Sequence, residues 1–165
     1  MSFGFLRAAF FIVLLTAGSA AFAHSTATGI VKERMESMKA IGKATKSIVA
    51  MMQGKQDYDP TAISAAAASI KEHGGEGLLA KFPKDSLDPP SEALPAIWQD
   101  WVTFKTLNED LRREAALLET VAANGPEGFG TVVTYTDDRA QPAGPVATRL
   151  LKTCKSCHDK FREED

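Results

Sequence analysis

Near its end the chain reads Cys154-Lys155-Ser156-Cys157-His158, two thiols and an imidazole inside five residues. The pattern C-x-x-C-H is the attachment sequence for a c-type haem. On a helix, residues three and four apart share a face, so Cys154, Cys157 and His158 project together. Two thiols at that spacing can form thioethers with the two vinyl groups of one porphyrin. The neighbouring imidazole is then held under the iron as an axial ligand. Other chemistries use these residues less completely. A thioredoxin-like C-x-x-C belongs beside a βαβ pattern, and none surrounds it here. A structural zinc wants four nitrogen or sulfur ligands, and beyond this run only His24 and His73 are obvious candidates. A disulfide within C-x-x-C would be small and strained and would leave His158 unexplained. The chain has no other cysteines, so one covalent haem c with its iron accounts for the whole run.

The rest of the chain must deliver and position that group. Its 165 residues are 44% hydrophobic with a formal net charge of −2, enough for one domain with a proper core. Residues 1–23 stand apart. Met1 to Arg7 is a short positive start, Ala8 to Ala17 is apolar, and Ala21-Phe22-Ala23 fits a small-residue cleavage site. This predicts a cleaved signal peptide over 1–23 and a domain over 24–165, exported to the periplasm. Export agrees with the chemistry, because c-type haem is attached outside the bacterial cytoplasm. No segment reaches the ~20 apolar residues of a membrane span, so no stable membrane insertion is expected after cleavage. Mild acidity and the lack of a basic aromatic patch argue against a nucleic-acid partner.

Helical periodicity runs from Ile30 to about Met52, with Val31, Met38, Ile41, Ile48, Val49 and Met52 on one stripe and Arg34 and Thr45 completing it. Thr28 is a candidate N-cap and Gly54 a stop. Asp59-Pro60 opens a second, alanine-rich helix that should end at Gly74-Gly75. Residues 74–92, rich in Gly and Pro, read as a crossover connector. A third helix is predicted from about Ser91 to Ala123, with Ile97, Trp101, Phe104, Leu111, Ala115 and Leu118 inward, widened by Leu94 and Trp98. Residues 126–144 follow, with a β-branched, strand-like stretch from Thr131 to Thr136. A fourth helix should run from near Pro145 to about Arg162 and carry the haem run on its buried face. Four helices of this kind imply an all-α antiparallel bundle.

With these elements placed, the chain resembles the cytochrome c-prime family, the class II c-type cytochromes. That family is itself a standing example of the four-helix bundle. The resemblance rests first on Cys154-Lys155-Ser156-Cys157-His158-Asp159-Lys160-Phe161-Arg162, then on Arg34 four residues before Met38-Lys39, Phe82-Pro83 and Ala96-Ile97-Trp98. Residues 131–144 depart from it, being longer and less helical than usual before the last helix.

Only seven residues follow His158 and none is Met or His, so a sixth protein ligand has to come from upstream. Met35, Met38, Met51, Met52, His24 and His73 are the candidates. His73 at a helix end suits a surface cap, and His24 would open the cleaved chain. Met51 and Met52 suit core filling, which is also the ordinary role of any Met on such a stripe. Met35 is rotated off the stripe and Met38 lies at its centre. The resemblance singles out Met38. In gas-binding members an apolar side chain there leaves the iron five-coordinate, whereas in the low-spin, cytochrome c-556-type branch a Met binds it.

The resemblance therefore implies His158/Met38 ligation and an electron carrier serving redox partner proteins, with no catalytic duty of its own. A gas-binding protein that takes up NO or CO is the alternative, and a peroxidase-like enzyme lacks a distal His on the first helix. The resemblance also implies that Arg34 places a charge near the haem propionates or distal pocket. An Arg stem packed along the bundle with its head in water competes with that. Arg162 could cover the proximal side, against terminal fraying. Trp98 and Trp101 could line the haem, against plain core packing. Lys152, Lys155 and Lys160 could steer an acidic partner, against a solvated helix face. A homodimer is possible, since dimers occur in the family.

Overall fold

In a computed structural model of the chain, which describes residues 27–133 and 135–164, the periodic stripes become four long helices and two short ones. They are α1 (Gly29–Met52), α2 (Pro60–His73), α3 (Glu76–Leu79), α4 (Ala96–Gln99), α5 (Trp101–Val121) and α6 (Ala143–Phe161), with a 3₁₀ turn at Ala122–Asn124. There is no strand among the described residues. The predicted signal peptide over 1–23, and His24 beyond it, lie outside them.

Each long helix buries one face. On α1, Val31, Arg34, Ser37, Ile41, Ala44, Ile48, Met51 and Met52 are buried, steps of three and four almost throughout. α2 opens as its sequence dictates: Asp59 accepts a hydrogen bond from the Thr61 N–H at 2.8 Å, and Pro60 occupies the first turn. Its buried residues are Ile63, Ala67 and Ile70. Full burial of either isoleucine contributes ~1.5–3 kcal/mol. Tyr58 ties this end of α2 to the far end of α5, its hydroxyl donating to the Ala122 carbonyl at 2.6 Å.

The chain leaves α2 through a glycine turn. Gly74 caps the helix, and Gly75 takes a φ of 67° that L side chains rarely adopt. Asn108, buried on α5, clamps Gly75 from both sides. It accepts from the Gly75 N–H (3.1 Å) and donates to its carbonyl (2.8 Å). α5 packs extensively against both α2 and α6, and α2 packs against α1, whereas α1 and α6 meet only sparsely. The result is an antiparallel four-helix bundle with one loosely closed seam, between α1 and α6.

Two local expectations are corrected, the continuous third helix and the strand-like stretch, and two, the start of the fourth helix and the Thr28 cap, are refined. The third helix is not continuous from Ser91. Residues 91–95 are extended or turned, α4 is one turn, and the chain breaks at Asp100 (φ −132°, ψ 58°), whose carboxylate accepts from the Thr103 N–H to start α5. That break resets the helical phase, so Trp101 ends 37% exposed while Ile97 and Phe104 stay buried. α6 begins two residues before Pro145, because a proline in the first turn leaves no hydrogen bond unmade. The stretch from Thr131 to Thr136 forms no strand at its described residues, having no strand edge to pair with; Val132 and Val133 are exposed. Thr28 sits at the N-cap of α1 without a side-chain capping bond.

The loop before α6 is nonetheless pinned. A Cβ at Gly144 would lie 2.3 Å from the Glu127 carbonyl oxygen and 2.4 Å from that of Pro126. Only a glycine lets the loop ride this close on the helix. The Ala143 N–H donates to the Gly125 carbonyl at 2.8 Å, and Asn124 donates to the carbonyls of Arg139 and Gln141, both at 2.9 Å.

Candidate functional site

Cys154, Cys157 and His158 sit on the last turns of α6, as their spacing requires. Both cysteines are free and half-buried, and they pack against the main hydrophobic cluster. Burial pushes each thiol up to about 11, with the Cys154 charge adding to the rise at Cys157. At neutral pH both are therefore protonated thiols rather than thiolates. His158 is exposed on the same helix. Its neutral form is favoured, first by the protein that crowds its base and then by the charge of Arg162. A neutral imidazole is the form that ligates a metal.

Met38 is half-buried on α1 and packs against the same cluster as the two cysteines. Met51 and Met52 are core residues, buried at the other end of α1, and Met35 is half-buried. His73 lies in the last turn of α2. Thus Met38, Cys154 and Cys157 pack against one cluster from two helices that scarcely touch.

Arg34 does not hold its head in water. It is only 4% exposed. Nη2 donates to the Ser86 carbonyl at 2.7 Å and to Ser91 Oγ at 2.9 Å, and Nη1 makes longer bonds to the Lys81 carbonyl and Ser86 Oγ, both 3.4 Å. The guanidinium also lies 4.6 Å from the centre of the Phe82 ring. Its acceptors among the described residues are neutral, and burial lowers its affinity for a proton. Beside it, Lys81 Nζ donates to the buried Ser37 hydroxyl at 2.5 Å. Trp98, half-buried on α4, donates from its indole nitrogen to the Phe82 carbonyl at 3.1 Å. Phe82, Phe104 and Phe161 form an edge-on aromatic stack leading to α6.

Arg162 is tied down rather than frayed. The Arg162 N–H donates to the His158 carbonyl, and Arg162 pairs with Ala93 in an isolated antiparallel bridge. Its Nε donates to Glu92 Oε2 at 2.7 Å. Two of the three lysines around the run are matched by carboxylates: Lys155 by Asp159 at 2.6 Å, and Lys160 by Asp100. Lys81, Ser86, Ser91 and Glu92 are marked by no spacing rule, whereas Ser37 falls on the helical stripe of α1. Small polar residues between prolines carry no periodic signal.

The donors suit a haem. Two neutral thiols and an imidazole stand on α6, a thioether on α1, and beside that thioether a buried cation whose acceptors among the described residues are neutral, on two helices that meet sparsely. Among the described residues no three His, Cys, Asp or Glu side chains gather to hold a bare metal ion.

Comparison with known proteins agrees. The family profile described as Cytochrome C' matches residues 29–162. The chain is 34% identical over 136 residues to cytochrome c' of Rhodopseudomonas palustris, covering 82% of each. It is 30% identical over 136 residues to cytochrome c-556 of Agrobacterium fabrum, again covering 82% of each. The solved structure of cytochrome c' from Rhodopseudomonas palustris superposes with a TM-score of 0.67 at 28% identity, over 84% of this chain and 99% of that one. Cytochrome c prime from Shewanella frigidimarina superposes at 0.64 over 82% and 94%, and at 22% identity it supports the fold alone. With one covalently bound haem c as its prosthetic group, the chain belongs to the cytochrome c' family.

Proposed function

We propose that the protein is a periplasmic electron carrier whose iron is held between His158 and Met38. The observation that carries this reading is the half-buried Met38 on α1, facing the cluster that Cys154 and Cys157 face from α6. Cys154 and Cys157 would hold the haem through two thioether bonds. His158 binds from α6 as a neutral imidazole. The haem, when bound, supplies a one-electron iron couple. Met38 brings a soft sulfur ligand that favours ferrous iron, so the His/Met pair raises the reduction potential. With His158 and Met38 both donating to the iron, a change of oxidation state would require no new bond. Arg34 offers its buried charge to the haem carboxylates, and Trp98 and Phe82 line the apolar wall beside it. Arg162 buttresses the His158 end of α6. Among the described residues no helix is long and apolar enough to cross a membrane, which fits delivery of electrons to redox partner proteins.

The absorption spectrum of the purified protein tests this. A low-spin, six-coordinate spectrum is expected, and Met38→Ala should turn it high-spin and open the ferrous form to CO. A wild-type spectrum that is already high-spin with ready CO binding, or one that Met38→Ala leaves unchanged, removes Met38 as a ligand. The sparse packing of α1 on α6 favours one second reading, a weak Met38 bond that NO displaces. In that case NO binds the wild type and the Met38→Ala variant with similar affinity.

A further inference from the structure

The two helices that carry the proposed axial ligands are α1 and α6, and they are the long pair with the least direct contact among neighbours around the bundle. Something else must set their separation. The segment 86–94 runs between them and is bonded to both. Toward α1, the Ser86 carbonyl and Ser91 Oγ accept from Arg34 Nη2 at 2.7 and 2.9 Å, one helical turn from Met38. Toward α6, the Leu94 N–H donates to the Phe161 carbonyl at 2.9 Å, the Glu163 N–H donates to the Glu92 carbonyl at 2.8 Å, and Glu92 Oε2 accepts from Arg162 Nε at 2.7 Å. Arg162 in turn donates from its backbone N–H to the His158 carbonyl at 3.1 Å. The segment is internally braced: the Ser91 N–H donates to the Asp88 carbonyl, and the Ala93 N–H to Ser91 Oγ. Ser91 and Glu92 are adjacent, so the bond to α1 and the bond to α6 are one residue apart.

We infer that residues 86–94 act as a strap that fixes the spacing between α1 and α6, making Ser91 and Glu92 positioning residues for the sixth iron ligand. The inference rests on the His158/Met38 reading for its functional consequence, but not for the strap itself. A thioether on a flexible side chain binds only if its helix is held at one distance. Releasing either anchor lets α1 drift on α6 without moving the covalent attachment on α6. The strap thereby sets how readily an outside ligand such as CO competes for the iron.

The test uses the intact holoprotein with Ser91→Ala and Glu92→Gln, and with Glu119→Gln as a control. Glu119 pairs with Lys71 between α2 and α5, away from the strap. Hydrogen exchange reads the strap directly. Both strap variants should speed exchange at least tenfold in residues 30–38 and 158–163, with α2 and the middle of α5 unchanged. CO association with the ferrous protein reads the consequence, and it should rise about tenfold in the strap variants and stay within twofold in Glu119→Gln. Unchanged exchange in both strap variants overturns the strap whatever the spectrum of the wild type. Altered exchange with an unchanged CO rate overturns the positioning role. A control that accelerates CO binding as much as the strap variants reduces the effect to general destabilisation and overturns it too. If the wild type is five-coordinate, the His158/Met38 reading fails, and the exchange measurement alone still decides the strap.

Discussion

Two arginines tie irregular segments onto the bundle, and they are treated differently. Arg149 on α6 donates from Nε to Glu114 Oε2 at 3.0 Å and from both Nη atoms to Gln141 Oε1 at 3.1 Å. Gln141, 1% exposed, donates onward to the Asp138 carbonyl at 2.8 Å. There the cation meets its anion inside the chain, and the loop before α6 is closed by residues the chain owns. Arg34 is also multiply bonded, but its acceptors among the described residues are neutral, and Lys81 beside it is likewise bonded to a hydroxyl. Burying a charge without a counter-charge is costly. The contrast is between a cation neutralised inside the bundle and one that, among the described residues, is held by neutral acceptors, an arrangement that suits the haem carboxylates proposed above.

The largest break in this symmetry should come from the double variant Cys154→Ala/Cys157→Ala, which cannot anchor the haem. The end built on Arg34 then loses its central filler, so helicity by circular dichroism should fall and cooperative melting should be lost. Residual exchange protection should concentrate in α5, the first half of α6 and the Arg149 network. An undiminished, cooperatively melting bundle would refute this.

Replacing each arginine in the holoprotein sharpens the comparison. Arg149→Met takes from Glu114, 9% exposed, its nearer cation and leaves Arg113 at 3.8 Å, so it should cost about 2 kcal/mol in a urea melt, below the full buried-pair value because a second cation remains and both side chains keep some solvent. The reduction potential should hardly move. Arg34→Met leaves only carbonyls and hydroxyls behind and should cost about 1–2 kcal/mol. It also removes a cation from the haem side and should lower the potential. Equal potentials in the two variants would place Arg34 among the purely structural residues.

The smallest effect is expected at the solvent-facing ion pair of the same end. The Asp100 carboxyl is held down to about 2, chiefly by its hydrogen bond from Lys160 and then by those from Thr103. A depressed carboxylate stabilises the fold above its ordinary range near ~4. That contribution fades as pH falls towards about 2. Asn keeps the capping role, so Asp100→Asn should melt slightly lower than wild type above pH ~5. The gap should close on acidification, and a gap independent of pH would assign the loss to packing.

What was legible in the sequence follows from distance along the chain. The C-x-x-C-H run, the faces of α1 and α6, the Asp59-Pro60 start and the Gly74-Gly75 stop are all set by neighbours within four residues or so. Helical period and capping chemistry report on that range. The break at Asp100, the exposure of Trp101 and the coil over 131–133 escaped because each depends on what lies opposite in space. Arg34 shows the same limit: its spacing from Met38 was plain, but its acceptors lie 52 and 57 residues away.

The sequence alone determined that two cysteines and a histidine share a face of the last helix and that a methionine sulfur stands on the apolar stripe of the first, because both are local and periodic. Only the tertiary structure decided that α1 and α6 barely touch, that 86–94 spans them, and that Arg34 is buried among neutral partners. Those outcomes depend on hydrogen bonds closed over 52 to 70 residues, and no pattern of adjacent side chains encodes which distant carbonyl a buried guanidinium will find.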